Sequence, residues 1–339
     1  MGSKSIPSFA GNFPAPPVFV CYTSSMMKLP KTLLAASTAV SVLASVASAK
    51  IEREVERTFQ VQPGVHVNLS TLGGNITVTS TTDAEVKIVA KEHIRTNSDA
   101  EADELLKKLN LTFEQKGDTV TATAEYQSTM GFHFGSWPPV EVEFEVRVPV
   151  SASVDLKTSG GDEIVGDLLG KVYARTSGGD IKLGRIVGEI NASTSGGNVS
   201  IEEGQTTVKA STSGGNITAK HLVGPSDLKT SGGDIKIESV ENSIDARTSG
   251  GDIKANFDGV LRGDSKLDTS GGQVKATVGK TTAFHLSADT SGGEVDAGGL
   301  TITIDHGGVG KSSLAGSVNG GGPELRLHTS GGDIDVEAR

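Results

Sequence analysis

From about residue 150 onward, apolar and polar residues alternate in short runs, and each run closes on glycine. Val172, Ala174 and Thr176 fall on one side of such a run, with Tyr173 and Arg175 on the other. That is the two-residue period of a half-buried strand. The triplet of large residue, small residue and Thr returns as Ile190/Ala192/Thr194, Val208/Ala210/Thr212, Ile244/Ala246/Thr248 and Leu286/Ala288/Thr290. A Ser-Gly-Gly corner follows, then a second alternating run such as Asp180-Ile181-Lys182-Leu183. Gly184 and Gly188 bracket another corner before the next triplet. One repeat is therefore two short strands and two corners. The inward Thr is expected to bond the corner backbone and to stack on the Thr of the next rung, about 4.8 Å away.

The corner motif TSGG begins at Thr158, Thr176, Thr194, Thr212, Thr230, Thr248, Thr269, Thr290 and Thr329. The first five intervals are 18 residues, the next two 21 and the last 39. The long interval suggests one degenerate turn, with Val318-Asn319-Gly320-Gly321 as its remnant. A fixed period of this kind marks a solenoid. A hexapeptide left-handed coil also takes 18 residues per turn, but it needs an aliphatic residue at every sixth position. The series Ile181, Val187, Ser193 fails at its third member. The expected fold is all-β: a parallel β-solenoid (β-helix) of about 18-residue rungs, handedness open.

Residues 50–150 read differently, as a small α+β N-terminal cap. Val65, Val67, Leu69 and Thr71 lead into Leu72-Gly73-Gly74-Asn75-Ile76-Thr77-Val78, a divergent first rung. Ser98 can cap a helix over Asp99 to Leu109, with acids in its first turn and Lys107 and Lys108 in its last. Glu85 to Ile94, Leu111 to Phe113, Thr119 to Tyr126 and Val140 to Val148 read as strands. Residues 151–339 form the TSGG-repeat solenoid. The closing Asp333–Arg339 run reads as a terminal edge strand whose outward acids discourage another sheet from adding.

Composition adds exclusions. The 339 residues include 44 Gly, only 4% aromatics and a net charge of −10, with no basic run. A nucleic-acid partner is excluded on charge. Met26 to Ala49 carries Lys28 and Lys31, an apolar stretch from Leu33 to Val46 and a small-residue site at Ala47-Ser48-Ala49, the organisation of a signal peptide over 26–49. Residues 1–25 read as a mis-assigned start or a disordered extension. Cys21, the only cysteine, lies there, so the mature chain relies on packing rather than disulfides. No other apolar run is long enough to span a membrane. The protein is expected to be exported to the periplasm, the outer surface or the medium.

The TSGGDI repeats, Val146-Arg147-Val148-Pro149 and the closing Asn319-Gly320-Gly321-Gly322-Pro323 resemble the bacterial putative-adhesin β-solenoid domain family. The resemblance covers most of residues 50–339. It implies a β-solenoid fold and an adhesive or structural role, and it brings no catalytic residues.

Gly310-Lys311-Ser312-Ser313 imitates part of a phosphate loop, but Asp305 stands where the first Gly is needed and no helix follows, so a glycine-rich connection is favoured. The corner acids Asp162, Asp180, Asp234 and Asp252 are each preceded, five residues earlier, by Lys157, Arg175, Lys229 and Arg247. Asn198 and Asn216 follow Ser193 and Ser211 instead. The match predicts ion pairs across the corner and no need for calcium. The rule breaks at Asp268, Asp289 and Glu294, which make a candidate weak cation site, with a solvated acidic face as the favoured alternative. Met130, Phe132, Phe134 and Trp137 concentrate aromatic surface between two strands, either as a partner-binding finger or as a plug for the open end. No catalytic constellation and no cofactor site stands out. The expected function is an exported, non-enzymatic surface whose partner is a polysaccharide or an envelope protein. A β-helix glycan-active enzyme and a periplasmic sensing or scaffold domain are the alternatives.

Overall fold

The computed structural model describes residues 51–127, 138–257 and 259–339, without the side chains of 305–309. The expectations on residues 1–25, on the signal segment and on Met130, Phe132, Phe134 and Trp137 lie outside the described residues. Within them are 27 strands and one helix. The strands form a 13-stranded and a 14-stranded sheet, and each TSGG rung gives one strand to each. In the Thr176 rung, Val172–Arg175 joins the larger sheet and Ile181–Ile186 the smaller. Successive rungs pair in parallel at constant register, so that Val172 lies beside Ile190 and Ile190 beside Val208. The fold is an all-β parallel solenoid. Its inward residues make one continuous apolar core from Val61 to Val336.

The corner holds the rungs together. Thr176 Oγ1 donates to the Gly161 carbonyl of the previous rung at 2.9 Å and accepts the Gly179 N–H at 3.3 Å. The Thr194, Thr212, Thr230 and Thr248 corners repeat both bonds. All these Thr are buried, so the side chain satisfies two backbone groups that water cannot reach. The second Gly is required by closeness: a Cβ on Gly179 would lie 2.0 Å from the Gly161 carbonyl oxygen. The 21-residue rungs keep this corner and place their extra residues at the other one, around Gly259 and Thr282, where Thr282 Oγ1 donates to the Gly259 carbonyl at 2.6 Å.

Both ends depart from chain order. The sequence reading stacks the rungs as they occur, but the last rung, Glu324–Thr329 with Ile334–Ala338, sits between the Thr269 rung and the Thr290 rung. The 39-residue interval is therefore not a degenerate turn of the solenoid. It carries an antiparallel hairpin, Ile302–Val309 with Ser313–Val318, laid along Phe284–Thr290. Asn319, Gly320 and Gly321 all have positive φ, of 49°, 91° and 82°, and reverse the chain into the vacant rung position. Asn319 Nδ2 pins that reversal to the carbonyls of Lys280 and Thr282, both at 2.9 Å. Val295–Asp296 pairs outside the closing strand over Ile334 and Asp335, so only its last residues are a sheet edge, and its outward acids have another role: Asp335 and Glu337 both pair with Lys275, at 2.9 and 2.6 Å.

The N-terminal end mirrors this. His66–Thr71 and Ile76–Thr81 form the first rung in the chain but the second in space, because Thr119–Tyr126 and Val140–Pro149 stack outside it. Ile51–Gln60, Glu85–Ile94 and Leu109–Lys116 then add antiparallel strands that close the end. The helix runs Asp99–Leu106, shorter than the sequence suggests, because Leu109 already pairs with Tyr126. Ser98 is its N-cap residue but makes no side-chain cap bond. Thr96 donates to Glu101 Oε2 at 2.5 Å and accepts the Ser98 N–H at 3.3 Å instead.

Candidate functional surface

Strand alternation turns the outer face of the 14-stranded sheet into two columns of side chains. One runs Asn68, Asp155, Tyr173, Asn191, Lys209, Asp227, Asp245, Lys266, Arg326. The other runs Ser70, Lys157, Arg175, Ser193, Ser211, Lys229, Arg247, Asp268, His328, Asp289. On three of these strands an ion pair joins the two columns. Lys229 meets Asp227 at 2.7 Å, Arg247 clasps both oxygens of Asp245, and Lys266 meets Asp268 at 2.6 Å with the signs reversed.

The ion pairs expected across the corner are not formed: among the described residues none joins Lys157, Arg175, Lys229 or Arg247 to the acid after its corner. Residues i and i+2 of a strand share a face, so Lys229 and Arg247 meet an acid on their own strand instead. The corner acids are used otherwise. Asp180 Oδ1 accepts the Asn198 N–H at 2.7 Å, and Asn198 Oδ1 accepts the Asn216 N–H at 2.9 Å. Asp162, Asn216, Asp234 and Asp252 do the same for the following rung. An acid and an amide serve equally as that acceptor, which is why Asp and Asn interchange along the corner.

The three acids considered for a cation are not gathered into one ligand set. Asp268 and Asp289 flank His328 in their column, because the last rung is inserted between theirs. Each has its own partner: Asp268 has Lys266 at 2.6 Å, Asp289 has His328 Nδ1 at 2.6 Å and Glu294 has Lys311 at 3.2 Å. The described residues hold no cluster of three or more His, Cys, Asp or Glu fit to take a metal. Lys311 of the GKSS segment belongs to the hairpin turn, closed by the Gly310 N–H on the Ser313 carbonyl at 2.8 Å.

Two features escaped the sequence reading. The first is inside. Glu163 occupies the inward column of Ile76, Ile181, Val199, Ile217, Ile235, Ile253, Val274 and Ile334. It is completely buried, and neither carboxylate oxygen has a hydrogen-bond partner. Burial pushes its pKa up to about 8; the Asp155 charge adds to this, and the Thr158 and Arg175 amides and the Arg175 charge pull back. The carboxyl is thus mostly protonated at neutral pH. A second inward acid, Glu92, is also raised by burial, with Arg53 opposing.

The second feature is outside. Among the described residues, Tyr173 is the one aromatic whose strand position faces outward from either sheet. Its hydroxyl donates to Glu189 Oε2 at 3.3 Å. Asp155, Leu156, Lys157, Tyr173, Ala174, Arg175 and Asn191 line a concavity of about 110 Å³ there. A neighbouring one of about 190 Å³ shares Asp155 and Lys157 and reaches Asn68, whose side-chain oxygen is shut from solvent without a hydrogen-bond partner. Unlike Lys229, Arg247 and Lys266 further along the face, Lys157 and Arg175 have no ion-pair partner among the described residues. A larger concavity of about 370 Å³ lies at Lys209, Asp227, Asp245, Lys266 and Arg326. Its acids and all but one of its bases are paired: Arg326 meets Glu324 at 3.3 Å, and only Lys209 is left over.

Fold and surface together define a parallel β-solenoid with polar, register-locked outer faces. The chain belongs to the Toastrack DUF4097 family, whose model matches residues 65–337, from the first residues of the chain's first rung to its last strand. Two solved structures are similar to it. One, a putative adhesin from Bacteroides fragilis, is 13% identical with a TM-score of 0.40, over 84% of this chain and 97% of that one. The other, a putative cell adhesion protein from Clostridium sporogenes, is 12% identical with a TM-score of 0.21, over 85% of this chain and 100% of that one. No curated protein matches the chain. No helix among the described residues is long and apolar enough to cross a membrane.

Proposed function

We propose that the protein is exported and serves as a non-enzymatic adhesive or structural surface of the bacterial envelope. The observation that carries this reading is the outer face of the 14-stranded sheet. Every rung fixes two outward side chains about 4.8 Å from their neighbours, on a backbone locked at the corner by Thr and Asx bonds. Such a face binds by area and repetition. Glu163, whose pKa burial pushes up to about 8, is sealed in the core, out of reach of a substrate. Export rests on the segment 26–49 of the sequence.

The test is location. Fractionation of cells, combined with labelling of intact cells by a membrane-impermeant reagent, should find the mature chain beginning near Lys50 outside the cytoplasm. Recovery of the full-length chain from the cytoplasm alone would overturn the reading.

A further inference from the structure

The geometry points to a binding site for an acidic polysaccharide on the outer face of the 14-stranded sheet, centred on Tyr173. The inference names the partner class of the surface proposed above and rests on that reading for where the polymer comes from.

Four observations converge. An outward aromatic ring, tethered at its hydroxyl to Glu189, is a platform on which the C–H face of a pyranose can stack. Beside it, Lys157 and Arg175 stand in adjacent rungs of the next column, about 4.8 Å apart, without partners among the described residues. Two unspent cations at that spacing suit the carboxylates or sulfates of a charged sugar chain. Asp155 and Asn191 offer acceptors and donors for ring hydroxyls. The shape favours a polymer over a small molecule. The two concavities are smaller than an enclosed ligand pocket, yet they lie end to end across five adjacent strands, roughly 19 Å along the solenoid.

The neighbouring rungs supply variants compatible with the fold. The Tyr173 column carries Asn191 next, and the Lys157/Arg175 column carries Ser193 and Ser211 next. Tyr173→Asn and the double change Lys157→Ser/Arg175→Ser therefore install residues that these columns already hold. A control removes the same charge from the opposite sheet: Lys236→Ser/Lys254→Ser, in a column that carries Ser200.

The experiment is calorimetric titration of the mature chain with polygalacturonate, with heparin as a second acidic polymer and dextran as a neutral one. Melting temperatures are measured alongside. The wild type is expected to bind at least one acidic polymer in a salt-dependent way and to leave dextran unbound. Each site variant should weaken that binding about tenfold or more without lowering the melting temperature, and the control should stay within about twofold. Binding of neither acidic polymer, equal binding of dextran, or equal loss in the control overturns the inference. Undiminished binding in the site variants removes the Tyr173 site while the surface reading stands; a cytoplasmic chain removes the surface reading whatever this site binds.

Discussion

Glu163 offers the sharpest test of how the core is built. Replacing it with Gln keeps the shape and removes the titration. Its pKa in the folded chain is about 8, against an ordinary value of 4.5. Below pH 4.5 the carboxyl is protonated in both states and contributes no pH dependence. Between about 4.5 and 8 the unfolded chain releases the proton while the folded chain keeps it, so stability falls as pH rises. Above about pH 8 the loss levels off near 5 kcal/mol, and about 3 kcal/mol of it is present at pH 7. Urea denaturation followed by far-ultraviolet circular dichroism, from about pH 5 to pH 9, should show Glu163→Gln pulling ahead of the wild type by that amount. Glu163→Ile restores the residue type of its column and should be more stable still at every pH, because it removes two unpartnered buried oxygens as well. Other titrating groups cancel in the difference between the curves. A wild type and a Gln variant that stay parallel across this range would refute the reasoning.

Three further outcomes follow from the rungs. Thr212→Val keeps the side-chain shape but strands the Gly197 carbonyl and the Gly215 N–H, at a cost of about 1–3 kcal/mol in thermal or urea denaturation. Gly179→Ala places a Cβ 2.0 Å from a backbone oxygen that has nowhere to go, and should destabilise at least as much; Gly64→Ala, with open space but positive φ, should cost less. Deleting residues 195–212 removes one whole repeat and should leave a folded solenoid, whereas deleting residues 319–339 removes a rung from between two others and should produce aggregation in sedimentation analysis.

Alternation and spacing made the rungs legible because every rung solves the same packing problem. The inward Thr, the glycine corner and the strand pairs all follow from a period that one repeat already shows. What lay hidden depends on which rung neighbours which. Asp268 and Asp289 looked like an unbalanced acidic corner only while their rungs were taken as adjacent; His328, inserted between them, is the partner of Asp289, and Lys266 is that of Asp268. The corner charge rule matched at six rungs and still misled, since correlation between two positions does not say which atoms meet. The Asp side chains hold backbone N–H groups, and Lys229 and Arg247 turn to acids on their own strands. Glu163 was readable in principle. Five residues after each corner Thr stand Ile or Val, except after Thr158. Comparing repeats column by column exposes that exception, whereas a search for catalytic clusters passes over a single acid.

The rung exchange at both ends has a physical rationale that a strictly sequential solenoid lacks. In a sequential stack the chain terminus is also the outermost rung, so fraying opens one ladder at a time, and every step exposes a new sheet edge. Here the last rung is clamped between two others, and its release requires two ladders in each sheet to open together. The first rung of the chain is clamped in the same way. The rungs left outermost are those with antiparallel strands beside them. Each inner ladder must form after the chain has passed beyond it and returned, which adds loop-closure entropy to folding and confines that cost to the two ends. The middle rungs keep purely local contacts and can form first. The ends then close on a finished stack, and the identical corner motif at Thr329 finds its place by matching Gly272 on one side and Thr290 on the other.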